Sequence, residues 1–300
     1  MNLMCPARLI LVPDELPVEV PTGERVAAVY ASPAGEATAA RWAAELGVRL
    51  TVDPELTAGE ALRDIADVHR GETVVVVVPG LDLGLAIPTD HRLVIEHTGD
   101  GWSVLPSDNE VTLAAYEQAA DKFRDTLPHG RSEVMDRWFD RIGAAVPPGA
   151  SVLELGSGTG EDAVALEERG YRVRRTDAAG SFVEMIRSDG YPADRLNALT
   201  DDFGGPYDLI FADAVFLHFD RAELTTVLRK ARRAAACLAF TTREGEGGEW
   251  STRFLDLPRR FNSWQEQPLR ELLTETGWTV THLERHQTRP GSNWFFILAV

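Results

Sequence analysis

The chain has too few cysteines for a disulfide framework or a thiolate metal site. Only Cys5 and Cys237 occur in 300 residues, and they lie far apart in the sequence. Long hydrophobic runs are also missing, since no stretch approaches the roughly 20 apolar residues of a membrane-spanning helix. The early run "LILV" is shorter than the core of a signal peptide. We therefore expect a soluble, cytoplasmic protein that does not act in a membrane.

Basic residues are scarce as well. The chain has 30 Lys and Arg against 47 Asp and Glu, a formal net charge of −17. Both parts are acidic, because residues 1–110 carry 7 basic against 18 acidic residues and the remainder 23 against 29. Such surfaces repel a phosphate backbone, so nucleic acid is not an expected partner. With 44% hydrophobic residues, the composition is that of a globular protein.

Short apolar runs alternate with helical patterns along the whole chain. Five consecutive valines, Val74–Val78, are typical of a strand buried on both faces of a parallel sheet. A hairpin pattern over 92–108 is followed by "LPSDNE", the best candidate for a linker. We predict an α/β protein of two domains, 1–109 and 110–300, each a mostly parallel sheet with helices on both faces.

A bare loop interrupts the segment "SVLELGSGTGEDAVAL" at residues 151–166. Alternate glycines between a strand and a helix let a ligand contact the backbone. A dinucleotide-binding fingerprint would place its third glycine at position 161, where Glu161 stands, followed by Asp162. These acids disfavour a pyrophosphate and thus a nicotinamide oxidoreductase, and no G-K-[ST] is present for a phosphate-binding loop.

A cationic nucleoside fits this pattern better than an anionic ligand does. Glu154, two residues before the first glycine, can attract an ammonium group, directly or through water. Asp177 ends the next predicted strand, where a carboxylate can accept hydrogen bonds from both ribose hydroxyls. The spacing of loop, helix and acid is that of a βαβ unit that holds an adenosine.

Residues from about 113 to 300 resemble class I S-adenosylmethionine-dependent methyltransferases. The similarity rests on "VLELGSGTGEDAVAL", "YRVRRTDAAGSFVEMIR", "YDLIFADAVFLHF" and "LRELLTETGWTV", in that order. It implies a Rossmann-like seven-stranded sheet with an antiparallel last strand, and S-adenosyl-L-methionine as the cofactor. The resemblance assigns cofactor binding to Tyr116, Glu154, Gly156, Ser157, Gly158, Gly160, Asp177, Ala178, Asn197, Ala198, Asp213 and Ala214.

Two residues are candidates for a general base. His218, in "FLHFD", and Asp213 both follow the fourth strand of this domain, and Asp213 comes first. The alternative for His218 is a polar residue that fixes the turn into the next helix. The segment 242–264 either contributes substrate contacts or forms a solvated loop with its aromatics tucked beneath it. Its candidate contacts are Arg243, Glu244, Phe261 and Trp264.

His282 and His286 are four residues apart, a spacing that would share a metal ion on a helix. Their segment reads as a strand, in which the two rings are too far apart to chelate. No metal is predicted.

Residues 1–109 resemble histidine phosphatases of the phosphoglycerate mutase type, but the catalytic residues of that family are replaced. Pro13-Asp14-Glu15 stands for the R-H-G that carries the phosphorylated histidine, Glu36 for an arginine, and Pro79 for the second histidine. Phosphohistidine chemistry needs that nucleophile and positive charge around it. We therefore expect a catalytically inactive accessory domain for docking a protein partner or for self-association.

The whole chain is thus interpreted as a methyltransferase that acts on a small molecule or a peptide. The alternative is a non-catalytic S-adenosylmethionine-binding or regulatory protein. The element that is methylated (O, N, C or S) stays open, because displacement at a sulfonium requires no distinctive set of residues.

Overall fold

The structure is a computed structural model that describes residues 5–12, 20, 25–56, 59–78, 93–98, 101–126, 132–289 and 291–300. The chain divides into two compact units, Met1–Asp108 and Asn109–Val300. Pro13-Asp14-Glu15, Pro79 and His129 lie outside the described residues. None of the described helices combines the length and apolar character needed to cross a membrane.

Apolar segments of the first unit pair into one sheet. Its described strands follow the order β3-β2-β4-β1-β5-β6, in which β1, β2, β3 and β4 pair in parallel. The strand β5 is antiparallel to β1, and β6 is antiparallel to β5. The strands are β1 (Arg8–Val12), β2 (Val26–Ala31), β3 (Arg49–Val52), β4 (Thr73–Val77), β5 (Leu93–Thr98) and β6 (Gly101–Leu105).

The valine run is buried because this sheet has a helix on each face. Val75 packs with Trp42 of α1 (Glu36–Leu46), and Val74 packs with Leu62 of α2 (Gly59–Val68) on the opposite face. Neighbouring strand residues point to opposite faces, so each needs its own helix. The helix α1 ends at Gly47, whose φ of 65° is the left-handed conformation that glycine favours at a helix end.

The second unit contains a larger mixed sheet, with the order β14-β15-β11-β10-β7-β8-β9 among its described strands. The five from β11 to β9 are parallel, whereas β15 is antiparallel to β11 and to β14. Parallel strands bring their carboxyl ends, and the loops that follow them, to one edge of the sheet. The strands are β7 (Ser151–Leu155), β8 (Arg172–Asp177), β9 (Asp194–Arg195), β10 (Tyr207–Ala212), β11 (Ala235–Arg243), β12 (Gly248–Ser251), β13 (Arg259–Asn262), β14 (Val280–Arg289) and β15 (Ser292–Ala299), of which β12 and β13 form a separate hairpin.

Helices cover both faces of this sheet. Phe211 of β10 lies in a core cluster with Trp138 and Phe139, and Ile210 lies in another with Leu224 and Leu272. Both strand residues are fully buried, as residues of a two-sided sheet must be. The structure thus confirms the predicted α/β class. The helices are α3 (Asp108–Thr126), α4 (Glu133–Ala145), α5 (Glu161–Glu168), α6 (Gly180–Ser188), α7 (Arg221–Ala234) and α8 (Glu266–Glu275).

The helix α7 begins with a reciprocal cap beside His218. The Glu223 amide donates to the Asp220 carboxylate (2.8 Å), and the Asp220 amide donates to the Glu223 carboxylate (2.9 Å). We expect Asp220→Ala to lower the free energy of unfolding by about 1 kcal/mol, because helix amides lose their acceptor. Urea denaturation measures the loss. Asp220→Ser is the control that keeps a capping oxygen, and equal losses in the two variants would contradict this role.

Candidate functional site

The loop between β7 and α5 is bare because its backbone conformation disfavours side chains at three of its positions. Gly156, Gly158 and Gly160 have φ angles of 69°, 52° and 83°, all in the left-handed region. A Cβ on Gly156 would lie 2.5 Å from the Cγ2 of Val215, so glycine is also required there by space. The loop therefore offers backbone atoms to a ligand, as the sequence pattern predicted.

Asp177 closes this loop from the end of β8. One carboxylate oxygen accepts from the Gly158 amide at 2.9 Å, and the other accepts from the Ala179 amide at 2.8 Å. Burial raises the pKa of Asp177 to about 6, although these amide hydrogen bonds oppose the rise. The carboxylate joins two neighbouring strand ends and faces the same cavity as the loop.

Glu154 lies behind the loop. Its carboxylate accepts the Ser157 hydroxyl, and only 2% of the residue is exposed. Burial raises its pKa to about 7, against the opposing effects of the Ser157 hydrogen bond and of Arg175. Glu154 is not among the residues that line the cavity, so here it supports the loop through Ser157.

A cavity of about 510 Å³ opens in front of the glycine loop. This volume is typical of pockets for small molecules and cofactors. Among the predicted residues, Glu154, Gly160, Glu244 and Trp264 do not line it. The predicted residues that do line it are Tyr116, Gly156, Ser157, Gly158, Asp177, Ala178, Asn197, Ala198, Asp213, Ala214, His218, Arg243 and Phe261.

Asp213 and Ala214 follow β10 at the middle of the cavity. The Thr241 hydroxyl donates to Asp213, and the Ala214 amide donates to the same hydroxyl oxygen at 2.9 Å. Ala214 has a φ of 54°, a conformation that costs a residue with a Cβ about 1–2 kcal/mol. Burial raises the pKa of Asp213, so its proton is held more tightly than on an exposed aspartate.

Both ring nitrogens of His218 have partners. Its Nδ1 lies 2.6 Å from the carbonyl oxygen of Arg260, which can only accept, so Nδ1 carries the proton. Its Nε2 then accepts from the Tyr116 hydroxyl at 2.9 Å. Burial lowers the pKa of His218 to about 4, and the nearby charges of Arg259 and Arg243 act in the same direction. At neutral pH the ring is uncharged and engaged at both ends.

Arg259 is a cavity residue that the sequence analysis did not single out. Only 4% of it is exposed, and among described residues its guanidinium forms no ion pair. It lies over the rings of Tyr116 and Phe261, at 5.3 and 5.1 Å from their centroids. Such contacts contribute about 2 kcal/mol when desolvated, less than the several kcal/mol that burying one ion costs. The doubled arginine in "PRRF", amid aromatics in an acidic chain, was the available signal.

Two of the residues predicted to contact the substrate, Glu244 and Trp264, have structural roles. Glu244 accepts from Arg285 at 2.8 Å, and Trp264 packs into the core of the second unit. Arg243 lines the cavity but pairs with Glu249 at 2.9 Å.

The strand predicted for the histidine pair is confirmed, since His282 and His286 lie in β14. Both rings approach Glu284, at 3.4 and 2.9 Å. No group of three or more potential metal ligands occurs in the part of the chain that the structure describes.

Comparisons with known proteins assign a methyltransferase fold to the second unit. The sequence profile of a methyltransferase domain family matches residues 127–283. A comparison with curated protein sequences gives no match. The similar solved structures described below are 15–17% identical to this chain, so they support the fold alone.

Three of these structures illustrate the fold's range. One is 1,6-didemethyltoxoflavin-N1-methyltransferase of Burkholderia thailandensis, bound to 1,6-didemethyltoxoflavin and S-adenosylhomocysteine (TM-score 0.53, 17% identity, covering 69% of this chain and 94% of that one). Another is magnesium protoporphyrin IX methyltransferase of Synechocystis PCC 6803, bound to S-adenosylmethionine (0.52, 16%, 65% and 98%). The third is the [4+2]-cyclase SpnF (0.52, 15%, 66% and 97%).

The glycine loop generates a prediction about packing. The reference variant is Gly149→Ala, outside this loop, where φ is 88° and a Cβ would have nothing within 4 Å. It should lower the free energy of unfolding by about 1–2 kcal/mol, the cost of the left-handed conformation alone. Gly156→Ala should cost about 1–3 kcal/mol more, because its Cβ meets Val215. Urea denaturation compares the two. The additional loss should disappear when Gly156→Ala is made in a Val215→Ala background, and its persistence would show that Val215 is not the obstacle.

The buried carboxyl of Glu154 generates a prediction about pH. Its folded pKa of about 7 lies above the ordinary 4.5, so the native protein keeps a proton that the unfolded chain releases. This contribution is complete below pH 4.5 and is lost as the pH rises through 7. Relative to Glu154→Gln, the wild type should therefore lose about 3 kcal/mol of stability between pH 4.5 and 8. Urea midpoints of both proteins measure it, and a difference that does not change with pH would refute the raised pKa.

Proposed function

This chain belongs to the methyltransferase family and is an S-adenosylmethionine-dependent enzyme, and from this premise we propose that its methyl acceptor is a small molecule or a peptide. The observation that carries the proposal is that one cavity is lined both by the glycine loop and by aromatic and arginine side chains. A cofactor and a small acceptor can share a cavity of this size and nature.

The residues at the loop end fit the cofactor. A Cβ on Gly158 would project beside Phe123, 3.8 Å from its ring, so glycine leaves room for a ligand at this wall of the cavity. We propose that Asp177 holds the ribose hydroxyls, that Asn197 and Ala198 line the adenine, and that Tyr116 covers the methionine part. When bound, S-adenosylmethionine supplies a methyl group on a positively charged sulfur. Asp177 and Asp213 are carboxylates of the sign that such a ligand requires.

The chain's own task in this chemistry is alignment and exclusion of water. Methyl transfer is an in-line displacement, whose rate depends on how well the nucleophile is positioned. Tyr116, Phe123 and Phe182 pack against one another beside the cavity, with ring centroids 5.4–6.1 Å apart. The two pairs that include Phe123 are edge to face, and the Tyr116–Phe182 pair is tilted. We propose that these rings form its apolar wall.

The hydrogen bonds divide the two candidate bases. His218 is occupied at both nitrogens, so we propose that it positions the Tyr116 hydroxyl and takes no proton from the acceptor directly. Asp213 lines the cavity, and burial raises the pKa of its carboxyl group, which makes the carboxylate a better proton acceptor than an exposed aspartate. We therefore propose Asp213 as the base for an acceptor that needs one.

For the first unit we propose an inactive, phosphatase-like accessory domain that docks a partner or self-associates. Its support is the parallel order of β1, β2 and β4, which brings their carboxyl ends to one edge. Glu36, exposed at the start of α1, would occupy the position at which histidine phosphatases have an arginine. An acid in that place opposes a transferred phosphoryl group.

Calorimetry and a product assay test the function together. S-adenosylmethionine with a labelled methyl group is incubated with the protein and a native extract, and labelled small products and peptides are identified by mass spectrometry. We expect binding of S-adenosylhomocysteine and a labelled product. Binding without any product would overturn the proposal and favour the non-catalytic regulatory alternative.

Asp177→Ala should weaken cofactor binding at least about tenfold, or about 1.4 kcal/mol, because the ribose hydroxyls lose their acceptor. Titration calorimetry with S-adenosylhomocysteine measures the change. The matched control is Asp194→Ala, which removes an exposed acid from the next strand, where it pairs with Arg174 at 2.8 Å. Unchanged affinity in the Asp177 variant, with its fold intact, would show that this carboxylate does not hold the cofactor.

A further inference from the structure

The cavity also carries a buried positive charge, on a residue that the proposal above does not assign to the cofactor. Arg259 belongs to the hairpin of β12 and β13, outside the sheet that builds the glycine loop. Its side chain lines the cavity, and its Nε is buried with no hydrogen-bond partner in the described structure. Glu249 also lines the cavity, but it pairs with Arg243 and forms no ion pair with Arg259 among the described residues.

The contacts that Arg259 does make are neutral. One terminal nitrogen donates to the Tyr116 hydroxyl at 3.2 Å, and the other donates to the carbonyl oxygen of Arg253. The rings of Tyr116 and Phe261 face the guanidinium but do not neutralise it. A buried charge is retained at such a cost when an opposite charge joins it in the functional state.

Two other arginines, Arg243 and Arg253, line the same cavity as Arg259. Arg243 lies over the same Phe261 ring, 5.5 Å from its centroid, and the exposed Arg253 also lines the cavity. Glu249 pairs with Arg243, which leaves Arg259 as the buried guanidinium there without an acid among the described residues. A planar guanidinium favours oxyanions, because it can donate two parallel hydrogen bonds.

We infer that the methyl acceptor is an oxyanion, a carboxylate or a phosphonate or phosphate ester, whose charged group pairs with Arg259 and whose apolar body packs against Phe261. This inference rests on the proposed function and names its substrate class. Asp177 and Asp213 suit a cationic cofactor, whereas Arg259 suits an anionic acceptor, so one cavity offers each of them a group of opposite charge.

Matched acid and amide pairs test the inference without knowledge of the natural acceptor. Benzoate is compared with benzamide, and phenylacetate with phenylacetamide; phenylphosphonate is a third acid. Each binds to full-length protein saturated with S-adenosylhomocysteine, and affinity is measured by titration calorimetry and ligand-observed NMR. We expect the acids to bind at least about tenfold more tightly than the amides. Equal binding within the pairs, or no binding of any acid at millimolar concentration, would overturn the inference.

Variants locate the effect. Arg259→Met should abolish the preference for acids, Arg259→Lys should retain part of it, and the control Arg137→Met should retain all of it, because Arg137 is exposed on α4 and does not line the cavity. The affinity for S-adenosylhomocysteine should stay within about twofold of the wild type in all three. A parallel loss of that affinity in Arg259→Met would overturn the inference and assign Arg259 to the methionine carboxylate.

Two further readouts separate the possible failures. Thermal unfolding without ligand should show Arg259→Met at least as stable as the wild type, since a buried charge without an ionic partner is removed. If that variant does not fold, the wild-type comparison of acids with amides still decides. Failure of the wild type to bind S-adenosylhomocysteine would instead count against the proposed function itself.

Discussion

The site depends on the pair of amide hydrogen bonds that Asp177 accepts from Gly158 and Ala179. They tie the end of β8 to the loop after β7, and they keep a buried carboxylate from being left unsatisfied. The left-handed glycines make the loop reachable, but these bonds hold it in one place. Burial and hydrogen bonding act on the pKa of Asp177 in opposite directions, and burial prevails.

The cavity contains charges of both signs, although the chain as a whole is strongly acidic. Asp177 and Asp213 follow two of the parallel strands, whereas Arg259 belongs to the hairpin of β12 and β13, which also carries Glu249, the partner of Arg243. Burial strengthens the effect of both signs of charge, because charges interact more strongly away from water. A positively charged methyl donor and an acceptor of opposite charge would each find a group of opposite charge in this cavity.

Much of the fold was predictable because its signals are local. The valine run, Gly47 at the end of α1 and the cap at Asp220 each depend on residues within a few positions, and the structure contains all three. The placement of Glu154 was not predictable in this way. Its pattern suggested an acid that attracts a ligand directly or through water, whereas in the structure its carboxylate accepts the Ser157 hydroxyl and does not line the cavity. When both faces of a strand are buried, its apolar residues do not alternate with polar ones. The spacing of residues along the sequence therefore does not tell toward which face a side chain such as Glu154 points.

By itself the sequence determined the order of strands and helices, the bare loop and the acid that follows it, since periodicity and glycine act over short distances. Only the tertiary structure decided which charges are left without partners. Arg259 meets Tyr116 across 143 residues of sequence, and His218 meets the Arg260 carbonyl across 42. Burial and pairing are sums over neighbours that folding assembles, so a single arginine in "PRRF" acquires its meaning only when the hairpin, α3 and the end of β10 surround one cavity.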